Sequence, residues 1–271
     1  MARSTATPDA RPAVVPALDG PVQAALVQYL LRLGDDRLVL GHRLSEWCGH
    51  APILEEDIAL ANIALDLVGQ ATLFLGLGAA TEAAGRDADA LAYLREAIDF
   101  RNVLLTELPK GDFAFTIVRQ FLFSVAAYYQ LEGLATSSRP DLAGIAGKAL
   151  KETRYHVRHS GEWVIRLGDG TSESHARTQA ALDALWRYTG EMFLSDDVDA
   201  TLVRAGVMPN LAAAEPKWLA QVTGVIERAT LAVPPAGYMQ RGGRTGRHTE
   251  HLGIMLAEMQ ILQRSYPGVK W

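Results

Sequence analysis

Apolar residues in the first third of the chain recur at alternating four- and three-residue steps, the spacing that aligns one face of an α-helix. Leu26, Leu30, Leu33, Leu40, Leu44 and Trp47 form one such stripe, with Arg37 set into it. Beyond a hinge at Trp47-Cys48-Gly49-His50-Ala51-Pro52, a second helix carries two stripes side by side. One is Leu54, Ile58, Ala61, Leu65, Val68, Thr72 and Leu75; the other is Leu60, Ala64, Leu67, Ala71, Phe74 and Gly78. A helix apolar over so much of its circumference is expected at the centre of a bundle. Its polar exception is the row Asn62, Asp66, Gln70 at i, i+4, i+8.

The same period continues downstream. Helices are predicted near Asp87–Leu108, Asp112–Thr136, Asp141–Leu167, Glu173–Leu194, Glu215–Leu231 and His248–Tyr266, each set off by Pro, Gly or Ser-rich punctuation. No period-2 run bounded by turn signals appears, so the expected class is all-α, a four-helix bundle with additional C-terminal helices. Residues 1–20 are proline-rich and aperiodic and read as a disordered tail before one helical domain, 21–271.

Composition narrows the function. With 271 residues, 49% of them hydrophobic, the chain can bury a large core without staples. Net charge is −5 with cations dispersed among acids, which leaves no footprint for nucleic acid. The basic cluster Arg241–Arg247 reads as a solvated turn. Charges within the helices lead to the expectation that none crosses a membrane. Cys48 is the single cysteine, so no internal disulfide forms, and the opening residues lack a charged-then-apolar leader; a cytoplasmic protein is expected.

Ferritin-like bundles hold two irons with one Glu from each of two helices and a Glu-x-x-His from each of the others, at one level of the core. In an antiparallel pair, residues equidistant from the turn lie level. On that basis Arg37 faces Leu67, with Gln70 a turn along, and Ser124 faces Thr153, with His156 three residues on. The set Arg37, Leu67, Gln70, Ser124, Thr153 and His156 contains one imidazole, no carboxylate and a guanidinium, and is a degenerate metal site. Thr153-Arg154-Tyr155-His156 keeps the spacing of Glu-x-x-His without its acid. A buried guanidinium requires partners, and a polar network of Arg37 with Asp66, Asn62 and Gln70 is expected. The plain alternatives are that Arg37 snorkels from the stripe edge and that Asn62, Asp66 and Gln70 face water. His156, on a line with Ala149, Thr153 and Ser160, reads as a hydrogen-bonded core histidine.

Two further groupings carry weaker signals. His248-Thr249-Glu250-His251 opens the last helix and offers two imidazoles at i, i+3, short of a coordination shell. Gathered with His156 by folding, these residues would make an independent metal-dependent oxidase or hydrolase, the rival to a non-catalytic protein. Glu46, Cys48 and His50 lie close in sequence, yet a tight turn beside a core Trp explains them as well as a thiol nucleophile does.

Several blocks together resemble a known family. They are Leu33-Gly34-Asp35, Glu46-Trp47-Cys48-Gly49-His50-Ala51-Pro52, the run Leu60–Ala71, Lys151-Glu152-Thr153-Arg154-Tyr155-His156, and His248–Gly253 followed by Leu256-Ala257-Glu258-Met259-Gln260. In order and spacing they are similar to the C subunits of 1,2-phenylacetyl-CoA epoxidases, multicomponent ring-epoxidising oxygenases of bacterial phenylacetate breakdown. The resemblance covers nearly everything after the tail. It implies a ferritin-like fold and a structural subunit without metal or catalytic residues of its own. The implied partners are a homologous diiron A subunit, a small B subunit and a reductase carrying flavin and an iron-sulfur centre and using NADPH. It further implies an acyl-CoA substrate near the subunit junction, where Glu55, Glu56, Asp57, Ile58 and the segment Ala200, Thr201, Leu202 are the candidate contacts.

Overall fold

The computed structural model describes residues 18–269, and among them every regular element is helical. The long elements are α1 (Gly20–Ser45) and α2 (Leu54–Glu82), which lead through two short helices, α3 (Ala88–Tyr93) and α4 (Leu104–Glu107), to α5 (Phe113–Leu134) and α6 (Pro140–Gly168). Then come α7 (Ser172–Trp186), α8 (Asp197–Arg204), α9 (Ala214–Arg228) and α10 (Glu250–Ser265). Side-chain oxygens start several of them. Asp19 accepts from Val22 N at 2.9 Å and Asp112 from Phe115 N at 2.9 Å, each satisfying an amide that has no partner within its helix.

α1 lies along α2, α5 lies along α6, and α2 touches α6, which makes the four-helix heart; α7 and α9 cover α5, and α8 packs on α1. The largest core cluster runs from Leu40, Leu44 and Leu67 through Ile117, Phe121 and Leu122 to Trp186 and Trp218. Gly34 and Gly41 let the α1 and α2 backbones approach closely. A Cβ on Gly41 would lie 3.2 Å from the Ala64 carbonyl oxygen.

This packing corrects several expectations. Gly34 meets Leu75 and Gly41 meets Leu67 and Val68, a register that sets Arg37 beside Gln70 rather than Leu67. The hinge explains the shift. The chain stays wound through His50, whose N–H donates to Trp47 O at 2.8 Å, so the reversal falls closer to α2 than the Gly49–Pro52 turn suggests.

The helix expected over Asp87–Leu108 is instead α3, a 3₁₀ turn at Ala97–Asp99, an extended stretch and α4. Long-range acceptors compete for its amides: Arg101 N and Val103 N donate to Asp35 and Asp36, both at 2.8 Å, and Leu104 N donates to Glu191 at 2.9 Å. The helix expected over Glu173–Leu194 stops at Trp186, where Gln240 N donates to Arg187 O at 2.7 Å. α8 has no counterpart among the expected helices.

Asp19 and Gly20 belong to the start of α1; the remainder of the expected tail, residues 1–17, lies outside the described residues.

α2 departs furthest from its sequence reading. Its inner stripe, Leu60, Leu67, Ala71 and Phe74, is buried, but of the outer stripe Leu54 is 72%, Ile58 55% and Leu65 70% exposed. Moreover, Asp66 is the sole charge between Asp57 and Glu82, so by length and composition α2 could cross a membrane, against the expectation that no helix could. Its inner face is nevertheless committed to α1 and α6.

Candidate functional site

At mid-bundle, Arg37 is fully buried on α1. Its Nε donates to Gln70 Oε1 at 3.0 Å, its Nη1 to the Leu33 carbonyl at 2.9 Å, and its plane lies over the Phe74 ring, 4.8 Å from the centroid. Nη2 has no hydrogen-bond partner among the described residues. Burial pushes the guanidinium pKa down to about 10, with the Asp36 charge opposing, so the group is a cation at neutral pH. Gln70 passes the interaction on, donating Nε2–H to Glu152 at 2.9 Å.

The expected network is therefore only partly assembled. Asp66 does not meet Arg37: its carboxylate lies 3.0 Å from Nε2 of His156, on α6. Asn62 is exposed. The i, i+4, i+8 row spreads across the helix surface at about 40° per step, which carries Asn62 to water, Asp66 to the α6 edge and Gln70 inward. Farther along α2 toward the hinge, Glu56 lies 2.9 Å from Nε2 of His159. Glu56–His159, Asp66–His156 and Gln70–Glu152 thus tie α2 to α6 along their shared edge.

Of the other positions expected at this level, Leu67 is core, Thr153 is buried, and Ser124 Oγ accepts from Gln120 Nε2 at 2.8 Å. A cation and a neutral amide engaged with each other do not suit an iron pair, which needs several anionic oxygens. Among the described residues no three His, Cys, Asp or Glu side chains converge elsewhere into a ligand set.

The most heavily charged region escaped the sequence reading and lies on the other side of α1. Asp35 pairs with Arg95 and Asp36 with Arg244, the latter at 2.8 Å, all with little exposure. Glu107, wholly buried, accepts from Asn102 Nδ2 at 2.8 Å and Thr249 N at 2.6 Å, and faces Nδ1 of His248 at 2.7 Å. The other ring nitrogen of His248 faces the Phe100 carbonyl at 3.1 Å. Burial alone disfavours the imidazolium, but with acceptors at both nitrogens Glu107 and Phe100 prevail and the pKa is raised. Glu191 accepts from Leu104 N at 2.9 Å and Gly242 N at 2.8 Å. Asp35 and Asp36 hold the stretches before α4 and before α10 to α1, while Glu107 and Glu191 tie those stretches to α4 and to the turn after α7.

The rival groupings are not brought together. His248 is held by Glu107, His156 by Asp66, and Glu250 is exposed with His251 3.8 Å away. In the hinge, Glu46 pairs with Arg43 at 2.6 Å and His50 bonds the Cys48 carbonyl rather than its thiol. Within Arg241–Arg247, Arg244 belongs to the buried Asp36 pair, so the cluster is not simply a solvated turn.

Of the candidate acyl-CoA contacts, Asp57 caps the hinge by accepting from Gly49 N at 2.8 Å, and Glu56 is buried against His159. Glu55 and Ile58 face outward; Leu202 is buried, while Thr201 Oγ1 donates to Asp197 O.

Comparison with known proteins agrees with this architecture. A family profile described as "Phenylacetic acid catabolic protein" matches residues 19–271. The chain is 48% identical over 246 residues, 91% of its own length and 99% of the relative's, to the C subunit of the 1,2-phenylacetyl-CoA epoxidase of Escherichia coli (strain K12).

Proposed function

The chain belongs to the phenylacetic acid catabolic protein family, whose fold is ferritin-like, and has its place in phenylacetate catabolism; from that premise we propose that it is the non-catalytic, structural subunit of a phenylacetyl-CoA ring epoxidase. In this reading it binds and stabilises a homologous A subunit that holds the diiron centre, in a cytoplasmic assembly completed by a small B subunit and a flavin, iron-sulfur reductase supplied by NADPH. The acyl-CoA substrate would lie near the junction of the two bundles.

The observation that carries the reading is the Arg37–Gln70 hydrogen bond at mid-bundle. A level that in an iron-binding relative gathers carboxylates is filled here by a cation stacked on Phe74 and a neutral amide. Such a bundle trades metal affinity for a closed core, since a guanidinium repels a divalent cation and offers it no lone pair. A subunit with a rigid core can then brace a partner whose own core must keep carboxylates clustered around its irons. The relative's role as one subunit of an epoxidase supports an assembly of several chains.

The test is metal analysis of the purified chain, alone and co-expressed with its diiron-type neighbour. Less than about 0.1 iron per lone chain, with iron in the complex following the partner, is the expected result; about two irons per lone chain, the occupancy of a ferritin-like pair, would overturn it.

A further inference from the structure

We propose that the outer face shared by α2 and α6 seats another subunit of the assembly, through a helical surface whose apolar ridge is bordered by carboxylates. This deepens the subunit reading above and rests on it. Leu54, Ile58 and Leu65 project from α2 into solvent along more than two turns and make one apolar ridge. They are not the loose side of a mobile helix. Glu56–His159, Asp66–His156 and Gln70–Glu152 fix α2 against α6, so the ridge stands on a rigid base.

α6 supplies the polar half of the same face. Its outward positions carry Lys151, Arg154 and Arg158 together with the half-exposed ring of Tyr155, which Arg158 overlies at 5.6 Å. Among the described residues none of these three cations has a carboxylate partner, and they follow one another along the outer side of a single helix. Glu162 and Glu55 are the acids exposed on the two helices nearby, and neither reaches them. Beyond Arg154 and Arg158 the face continues into an open groove of about 560 Å³ lined by Tyr128, Tyr129 and Val157. Tyrosine and arginine around an apolar ridge is the composition of an interface core with its rim.

The charge selects the occupant. Unpaired cations in a chain of net charge −5 call for an acidic counterpart, and a second copy of this chain would bring its own Lys151, Arg154 and Arg158 against them. An anionic bilayer would satisfy both the ridge and the cations, but a straight ridge on a pinned helix fits a complementary helix better than a fluid surface.

The experiment is the affinity of the co-expressed catalytic subunit for wild-type chain and three variants, at about 50 and about 500 mM salt, a range over which screening of exposed charges changes several-fold. Leu65→Asp is expected to weaken binding by about 100-fold or more, as for a central apolar anchor. The double variant Arg154→Glu/Arg158→Glu is expected to weaken it by about 10-fold at low salt and to flatten the salt dependence. Ile261→Asp, on the exposed side of α10, is expected to bind as wild type. Ile58→Asp replaces Leu65→Asp if circular dichroism shows the latter unfolded. Complex formation unaffected by both face variants would overturn the docking face and leave the subunit reading standing. A wild-type chain that forms no complex would instead remove the subunit reading itself. Loss of self-association, or of binding to phosphatidylserine vesicles, in Leu65→Asp with the complex intact would assign the face to a second copy or a membrane and equally overturn the proposal.

Discussion

Arg37 and Gln70 meet across the α1–α2 seam, Nε to Oε1 at 3.0 Å, with no carboxylate in direct contact with the guanidinium. The pair is a buried cation neutralised at a distance and solvated by dipoles: one amide, one carbonyl and the face of Phe74. Its energetics are therefore asymmetric, as for any buried charge whose partner is removed.

Gln70→Leu should destabilise the chain by about 2–4 kcal/mol, because it strands the Arg37 Nε–H while the charge stays buried. Arg37→Leu/Gln70→Leu should recover most of that loss, since both polar partners go together. Urea unfolding of the single and double variants measures this; a double variant as unstable as the sum of the singles would contradict it.

Asp36 and Arg244 lie 2.8 Å apart with 3% and 17% side-chain exposure. Removing either partner, by Asp36→Ala or Arg244→Met, should cost about 3–5 kcal/mol, and the two losses should overlap in the double variant. Thermal melts of the four proteins give the coupling.

The raised pKa of His248 fixes the sign of a pH effect. Its folded value exceeds its unfolded value, so its contribution is fully present below about pH 6.5 and is lost as pH rises through the folded pKa. The stability gap between wild type and His248→Gln should therefore narrow from about pH 6 to about pH 9. A gap that is constant or widens over that range would show that the imidazolium is not the species bound to Glu107. The half-buried His42, whose pKa is lowered by desolvation, acts oppositely and is common to both proteins.

At Gly243 a Cβ would sit 2.0 Å from the Asn102 carbonyl oxygen. Backbone cannot yield as a side-chain tip can, so Gly243→Ala should lift the turn before α10 off the stretch before α4 and cost about 3 kcal/mol or more. Hydrogen exchange should show the Val103 and Leu104 amides losing protection first.

The helices whose starts are set by local chemistry were legible. α5, α6 and α10 fall within a few residues of their predicted bounds, because Asp112, Pro140 and the acid at Glu250 mark starts that local chemistry enforces. The 87–108 stretch was illegible for the converse reason. Its helical period is real, yet its amides are taken by Asp35, Asp36 and Glu191, acceptors 66 to 87 residues away that no local pattern announces. At the mid-bundle site, Arg37 stands out as an arginine on an apolar stripe, but naming Asp66 as its partner depended on a register that the wound hinge shifts by about one turn. The two stripes of α2 look alike in sequence. Only the packed bundle tells which one faces its own core, and the difference is whether the second stripe is a core or a contact.

The staples on α1 have a consequence for how the chain comes to be folded. Asp36 on α1 finds Arg244 across 208 residues, and Glu107 on the neighbouring α4 finds His248 across 141. During synthesis the first helical pair leaves the ribosome long before Arg244 exists, carrying an Asp36 that must enter the interior without that partner or wait outside it. Closure of α1 against the stretch before α10 is thus deferred until almost the whole polypeptide is made, a step of high contact order. That delay leaves this edge of the nascent bundle open until its last cations have been made.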